Sequence, residues 1–222
     1  MPIRKVVFVF DWDGTLVDSM GGFAEIASKV IARHYGQSPS WGRERYLETS
    51  GLPFPLQLEK IFPGDARNRQ ATDDYDRLKM ESYGKAPFFP DVRPALALLK
   101  EKGYGLAVSS NNDAALLDQK LGSLVSLFDC VAGFEPGFLK GKAHFDWIRR
   151  KLARPNLVFI GDSLHDARMA REAGIPFFAR IGTFSEEDFS GMATGCIHNL
   201  FDLIGQAGPH LAPTAVSAGI YS

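Results

Sequence analysis

Cysteine is scarce: the 222 residues hold two, Cys130 and Cys196, too far apart for a zinc motif and too few for a disulfide framework. Their expected state is buried free thiols in a reducing cytoplasm. No apolar run approaches the ~20 residues of a membrane span. The N-terminal Met1-Pro2-Ile3-Arg4-Lys5 leads straight into a strand-like run, without a secretory apolar region or a small-residue cleavage site. Charge is not biased either, since the formal net value is −1. A nucleic-acid partner needs a basic face to neutralise phosphates, so none is expected, and neither is a membrane. The chain also has no internal repeat. What remains, with 45% hydrophobic and 23% charged residues, is an ordinary globular composition with room for a sizeable core.

Within that composition, short apolar runs alternate with helical patterns. Strands are expected at Val6–Phe10, Tyr104–Val108, Val131–Ala132, Leu157–Ile160 and Phe177–Ala179. Between them Pro94 to Lys102 carries Leu96 and Leu99 before Gly103, and Ala114 to Leu121 follows a polar stretch suited to capping. Phe145, Ile148 and Leu152 share a helical face, and Asp166 to Ala173 ends at Gly174. Strands alternating with helices imply a parallel sheet covered on both faces. Residues 20–87 differ. Phe23, Ile26, Ala27, Val30 and Ile31 follow helical spacing, Leu56 to Phe62 and Arg67 to Tyr83 look helical, and no strand is evident. The expected organisation is a core of residues 1–19 and 88–205, a helical cap of residues 20–87 and a tail of residues 206–222. Gly21-Gly22 and the segment from Ala86-Pro87 to Pro90 are the candidate hinges.

Ligands of such sheets bind at the carboxyl ends of the strands, and there the sequence concentrates its polar groups. Val6–Phe10 runs into Asp11-Trp12-Asp13-Gly14-Thr15. Side chains alternate along a strand, so a spacing of two sends both carboxylates to one side. An isolated Asp-Gly-Thr is simply a turn, but three further clusters follow strands in order. They are Ser109 with Ser110, the pair Lys140 and Lys142, and Gly161-Asp162-Ser163-Leu164-His165-Asp166. Each has an innocent reading alone, as a cap or a solvated charge. Together they suit phosphoryl transfer, because a phosphate monoester carries about two negative charges that must be neutralised before a carboxylate can approach. In that chemistry Asp11 attacks phosphorus, while Asp13 protonates the departing alkoxide and later takes a proton from water. Ser109, Ser110 and backbone N–H groups, including that of Trp12, hold phosphate oxygens. Asp162 helps hold Mg²⁺, and Asp166 orients Lys142 or a metal-bound water. Asp18 is expected to cap the first cap helix, and His165 to be a loop residue rather than a ligand.

The motifs Asp11-Trp12-Asp13-Gly14-Thr15, Ser109, Lys142 and Gly161–Asp166 resemble the four ordered motifs of the haloacid dehalogenase superfamily. The insertion between the first two resembles the small helical cap of its phosphoglycolate phosphatase and β-phosphoglucomutase branch. The resemblance implies an α/β, Rossmann-like doubly wound parallel sheet core, a cap that closes over substrate, and Mg²⁺ bound by the Asp11 and Asp162 side chains and the Asp13 carbonyl. The third motif departs from the family's lysine-proline segment and reads Lys140-Gly141-Lys142-Ala143. Lys142 is favoured, because it would open the helix that carries Phe145, with Lys140 as runner-up. Branches that act on carbon–halogen or carbon–phosphorus bonds typically lack the second aspartate, so Asp13 favours phosphate esters. A small phosphorylated metabolite is the expected substrate, and the expected assembly is a monomer or a weak homo-oligomer. Two rival readings stay open. One is a sugar-phosphate mutase, with Arg43, Arg45 or Lys60 holding a second phosphate. The other is a silent phospho-acceptor domain. The cap segment Thr49-Ser50-Gly51-Leu52-Pro53 resembles a loop that faces the active site in relatives.

Overall fold

The computed structural model describes residues 6–83 and 85–206. The expected tail from residue 207 onward lies outside them. The first strand, β1 (Val6–Phe10), is followed by four helices, α1 (Met20–Tyr35), α2 (Pro39–Glu48), α3 (Phe54–Ile61) and α4 (Asn68–Tyr83). Alternation then begins with α5 (Val92–Glu101), β2 (Gly105–Asp113), α6 (Ala114–Leu121), β3 (Cys130–Phe134) and α7 (Lys142–Leu152). It continues through β4 (Asn156–Gly161), α8 (Leu164–Glu172), β5 (Phe177–Arg180), β6 (Gly195–Ile197) and α9 (Asp202–Gln206).

The six strands form one parallel sheet in the order β3-β2-β1-β4-β5-β6. This is a Rossmann-like α/β core carrying a helical cap. The connections run outward in opposite directions from β1 and β4, so the switch point lies between those two strands, where such sheets bind ligands. The register Phe10↔Ile160 brings the carboxyl ends of β1 and β4 level. Residues Asp11 and Asp162 leave the sheet there.

The centre of the sheet is buried on both faces. Alternate residues of β1 serve opposite layers: Phe8 and Phe10 pack with Leu96 and Leu99 of α5, whereas Val7 and Val9 pack with Phe145 and Ile148 of α7. None of these eight side chains is exposed. Apolar side chains on both sides explain why the strand reads as a continuous hydrophobic run rather than an alternating one.

Helix α2 was not anticipated, and its burial explains the omission. Only Gly42 and Tyr46 of its ten residues are buried, so it shows no apolar stripe. It is set instead by Pro39 in its first turn and by Ser38, whose Oγ accepts from the Trp41 N–H at 3.3 Å. The three-residue β6 also went unseen. Two expectations need correction. Gly21 and Gly22 lie inside the first turn of α1 rather than in a connecting loop. Asp18 is exposed and does not cap that helix. Ser19 occupies the cap position, and its side chain makes no capping bond.

Two backbone crossings join core and cap side by side. The Asp18 N–H donates to Pro87 O at 2.9 Å and the Phe89 N–H to Leu16 O at 3.0 Å, with an antiparallel bridge between Val17 and Phe88. A buried fork anchors this hinge. Arg180, at the end of β5, donates to both carboxylate oxygens of Asp91 at 2.8 and 2.9 Å and to Thr15 O at 3.2 Å. Its guanidinium also lies 4.0 Å from the centre of the Phe89 ring. Asp91 additionally accepts the Leu200 N–H at 2.7 Å. Removing one member of a buried ion pair leaves the other charge uncompensated. The expected outcome for Asp91→Ala is therefore a loss of about 3–5 kcal/mol in denaturant unfolding. A loss under about 1 kcal/mol, the range of exposed pairs, would show that the fork does not anchor the hinge.

Candidate active site

The site begins with the turn that follows β1. The Trp12 carbonyl accepts three N–H groups, from Thr15 at 3.3 Å, Leu16 at 2.8 Å and Val17 at 2.9 Å. This tight coil needs Gly14 at φ +76°, where a Cβ would also lie 2.1 Å from Asp162 Oδ2. The Trp12 side chain is fully buried, edge-on to Phe88 with ring centres 5.6 Å apart. Its bulk therefore goes to the core, while its backbone N–H faces the Asp11 carboxylate.

Asp11 and Asp13 both face one cavity of about 590 Å³ between core and cap. Lys140 Nζ lies 2.6 Å from Asp11 Oδ1 and 2.7 Å from Asp166 Oδ1, and its side chain is only 9% exposed. Asp166 is fixed from its other side. Its Oδ2 accepts from Ser163 Oγ at 2.6 Å and from the Ser163 N–H at 3.2 Å. Ser163 Oγ in turn accepts the Asp166 N–H, which closes a capping box at the start of α8. Asp162 stands beside them with only Thr183 Oγ1, at 3.4 Å from its Oδ2, as a hydrogen-bond partner among the described residues.

Asp13 is held by neutral donors. Ser19 Oγ donates to its Oδ1 and Asn112 Nδ2 to its Oδ2, each at 2.6 Å. The Asn112 amide also donates to Ser110 Oγ at 3.2 Å, and its Oδ1 accepts from Lys79 Nζ at 3.4 Å. Neither Ser19 nor Asn112 was singled out in the sequence. Asn112 had a readable signal, because it follows Ser110 by two on a strand and so shares its face.

Two placements differ from expectation. Lys142 stands on the surface, 78% exposed and paired with Asp146 one turn along α7. It opens the helix as expected, but at that first position its side chain points to solvent, whereas His144 and Phe145 of the same turn point into the core. Lys140, in the preceding loop, crosses the strand ends. Ser109 is buried on the opposite face of β2 from the cavity, with its Oγ 3.0 Å from His144 Nδ1 of α7. Ser110 lines the cavity instead, together with Asn111 and Asn112. The expected polar capping stretch 109–113 is in fact the end of β2, and only Asp113 caps α6, accepting the Ala115 N–H at 2.8 Å. The cap cations considered for a second phosphate lie elsewhere. Arg43 donates to Gly21 O at 3.4 Å and Arg45 pairs with Glu48 at 2.6 Å, and neither these nor Lys60 line the cavity. Gly51 does reach it: a Cβ there would lie 2.6 Å from Ser163 Oγ, so the cap loop seats directly on the fourth motif.

The electrostatics call for a cation. Asp11, Asp162 and Asp166 can bring one oxygen each to within 4.8 Å of one another. Burial pushes the Asp11 carboxyl up to about 7 despite the neighbouring Lys140 ammonium. Burial, reinforced by the charges of Asp11 and Asp166, holds Asp162 well above the usual carboxylate range. Three buried carboxylates face one ammonium. A divalent cation would balance the remaining two charges, and an all-oxygen donor set suits Mg²⁺. The residues fit that ion.

With this geometry the comparisons agree. Residues 8–180 match the model of the haloacid dehalogenase-like hydrolase family. "Probable phosphatase IndB" of Dickeya dadantii is 32% identical over 186 residues, covering 77% of this chain and 79% of that protein. The phosphoglycolate phosphatase of Escherichia coli K12 is 30% identical over 206 residues, covering 78% and 79%. A haloacid dehalogenase-like family protein from Streptococcus pneumoniae shares the fold with a TM-score of 0.77 at 21% identity, over 91% of this chain and 98% of its own. The chain belongs to the haloacid dehalogenase-like hydrolase family, as a phosphoric monoester hydrolase of the phosphoglycolate phosphatase-like branch.

The burial of His144 generates a pH signature of its own. Burial pushes the imidazole down to about 4, and the Lys140 ammonium adds to this while backbone carbonyls oppose it. A histidine in the unfolded chain takes up its proton near 6.5. Above that pH both states are neutral at this position and nothing is lost. As pH falls from 6.5 toward 4 the unfolded state binds the proton first, so stability declines. Denaturant unfolding at pH 7 and pH 5 is expected to show a smaller difference for His144→Gln than for the parent chain. An unchanged difference would show that His144 titrates normally.

Proposed function

We propose that this chain is an Mg²⁺-dependent phosphatase that hydrolyses a small organic phosphate monoester through an aspartyl-phosphate on Asp11. The observation that carries the reading is the Asp11–Lys140–Asp166 chain beside Asp162, at the switch point of the sheet and under a cap. In the first step an Asp11 carboxylate oxygen attacks phosphorus and the bond from phosphorus to the ester oxygen breaks. Asp13 gives its proton to the leaving alkoxide. In the second step Asp13 takes a proton from water, which attacks the same phosphorus. The bond between phosphorus and Asp11 then breaks and releases phosphate.

Lys140 orients Asp11 and neutralises phosphate charge, while Asp166, through its contact with Lys140, holds that ammonium in place. Ser110, Asn111 and the Trp12 backbone N–H supply donors for the phosphate oxygens. Ser19 and Asn112 position the Asp13 carboxyl toward the ester oxygen. Mg²⁺, held by Asp11 and Asp162 and by the Asp13 carbonyl as in the resembling family, would neutralise charge on the transferring group. The cap of residues 20–87 admits small substrates and keeps bulk water out.

Four substitutions test these roles in a phosphate-release assay. Asp11→Asn is expected to lose at least about a hundredfold in turnover while still binding phosphate, since removing a nucleophile costs several orders of magnitude. Retention of more than about a tenth of the activity would remove Asp11 from that role. Asp13→Asn is expected to fail on alkyl phosphates yet retain release from an activated aryl phosphate, whose leaving group needs no proton. Equal losses on both would contradict a general acid. Lys140→Ala is expected to be near-inactive and Lys142→Ala near-normal. The reverse order would return the lysine role to Lys142.

A further inference from the structure

The cavity's two ends differ in chemistry. Its core end carries the carboxylates, Lys140 and the polar groups of β2. Its cap end is aromatic and aliphatic, built from Phe23, Tyr46, Phe54 and Tyr75 with Leu52 and Leu56. Phe54 and Tyr75 stack with ring centres 3.9 Å apart and planes 21° apart. The two phenol groups of the wall are already paired, Tyr46 Oη with Tyr75 Oη at 2.9 Å. Gln57 is likewise committed, since its Oε1 accepts from Thr49 Oγ1 at 2.9 Å and its Nε2 donates to Leu52 O at 2.8 Å. A sugar hydroxyl would find few free partners on this wall.

Among the described residues no lysine or arginine of the cap lines the cavity. Lys140, from the core, is the one lysine or arginine that lines the cavity among the described residues. The nearest cap ammonium, Lys79, lies 4.7 Å over the Phe23 ring and donates to Asn112. The charged group that the cap does present is a carboxylate, Asp76 of α4. The rim repeats the pattern: Leu56 from the cap and Leu139 from the core are both more than half exposed, and Phe134 stands beside them. An open apolar rim is a surface kept for a ligand rather than for the core.

We infer that the cap end of this cavity is a specificity pocket for a phosphate monoester with an apolar, aromatic alcohol portion, neutral or positively charged, and that Asp76 rejects a second anionic group. This rests on the phosphatase reading and narrows it. It sets the chain apart from its phosphoglycolate phosphatase relatives in substrate, because a terminal carboxylate would meet Asp76 and an apolar wall without a cation to receive it. On the same reasoning a bisphosphate, whose second anion would face Asp76, is expected to be a poor substrate. A flat apolar alcohol portion gains area burial against the cap wall and the exposed Leu56 and Leu139, and a second anion beside the solvent-exposed Asp76 carboxylate is repelled, most strongly at low ionic strength.

The test uses matched esters whose leaving groups differ little in acidity: benzyl phosphate, para-carboxybenzyl phosphate and para-aminomethylbenzyl phosphate, each with Mg²⁺. The expected kcat/KM for the carboxylate ester is about threefold or more below that for benzyl phosphate, with the amine ester equal to or above it. Phosphoglycolate is expected to be poorer still. Within Asp76→Asn the ratio of carboxylate ester to benzyl ester is expected to rise by about threefold or more. Leu56→Arg, on the exposed rim, is expected to raise the same ratio by adding a cation. Equal or better use of the carboxylate ester or phosphoglycolate by the parent chain would overturn the specificity assignment while leaving a phosphatase. Absence of metal-dependent release from all of these esters, and from para-nitrophenyl phosphate, would overturn the phosphatase reading and this assignment with it.

Discussion

One buried ammonium organises this molecule. Lys140 is clamped between Asp11 and Asp166 at the carboxyl ends of β1 and β4, with Asp162 alongside. Ionised groups leave water only at a large cost, so such a cluster persists only where geometry and partners offset it. Here the fold provides them from separate directions. Strand β1 delivers Asp11, the loop before α7 delivers Lys140, and the capping box of α8 locks Asp166. The same opposing charges raise Lys140's own affinity for its proton against the effect of burial. With all three carboxylates ionised the cluster would lack two positive charges, a deficit that a divalent cation would balance.

The turn after β1 joins that cluster to the cap. Coiling three N–H groups onto the Trp12 carbonyl turns the chain sharply enough to point Asp13 back into the cavity and to set residues 16–18 against 87–89. The hinge is therefore a two-stranded crossing braced by Arg180 and Asp91, not a flexible glycine linker. The cap's own contribution is a wall of aromatic rings, a committed glutamine and one carboxylate. On the proposed reading, catalytic charge lies in the core and selectivity in the cap, so one core chemistry could serve different alcohol portions.

Much of this was legible in the sequence, for a physical reason. Strands buried on both faces announce themselves as apolar runs, and carboxylates after them have few structural excuses, so β1, β4, Asp11, Asp13 and Asp162 stood out. The misplacements came where periodicity was weak or parity decided. Ser109 and Ser110 are neighbours on a strand, and one residue's difference sends the first to His144 and the second to the cavity. Lys140 and Lys142 flank Gly141 at φ +108°, a conformation that composition does not reveal and that directs the two side chains differently. Helix α2 lacks an apolar stripe and β6 is too short to show a pattern. The pairing of Tyr46 with Tyr75, which helps define the cap wall, joins residues distant in sequence and has no local signature, whereas Gln57 is held by its near neighbours Thr49 and Leu52.

The central claim is that Asp11 carries the phosphoryl group. Its most direct test is to quench the protein in acid during turnover of benzyl phosphate, reduce it with borohydride and map the product by peptide mass spectrometry. An acyl phosphate on Asp11 is reduced to homoserine at position 11. The account expects that product in the peptide containing residues 6–29, only when substrate and Mg²⁺ are both present. Reduction at another carboxylate, or none while phosphate is being released, would contradict it.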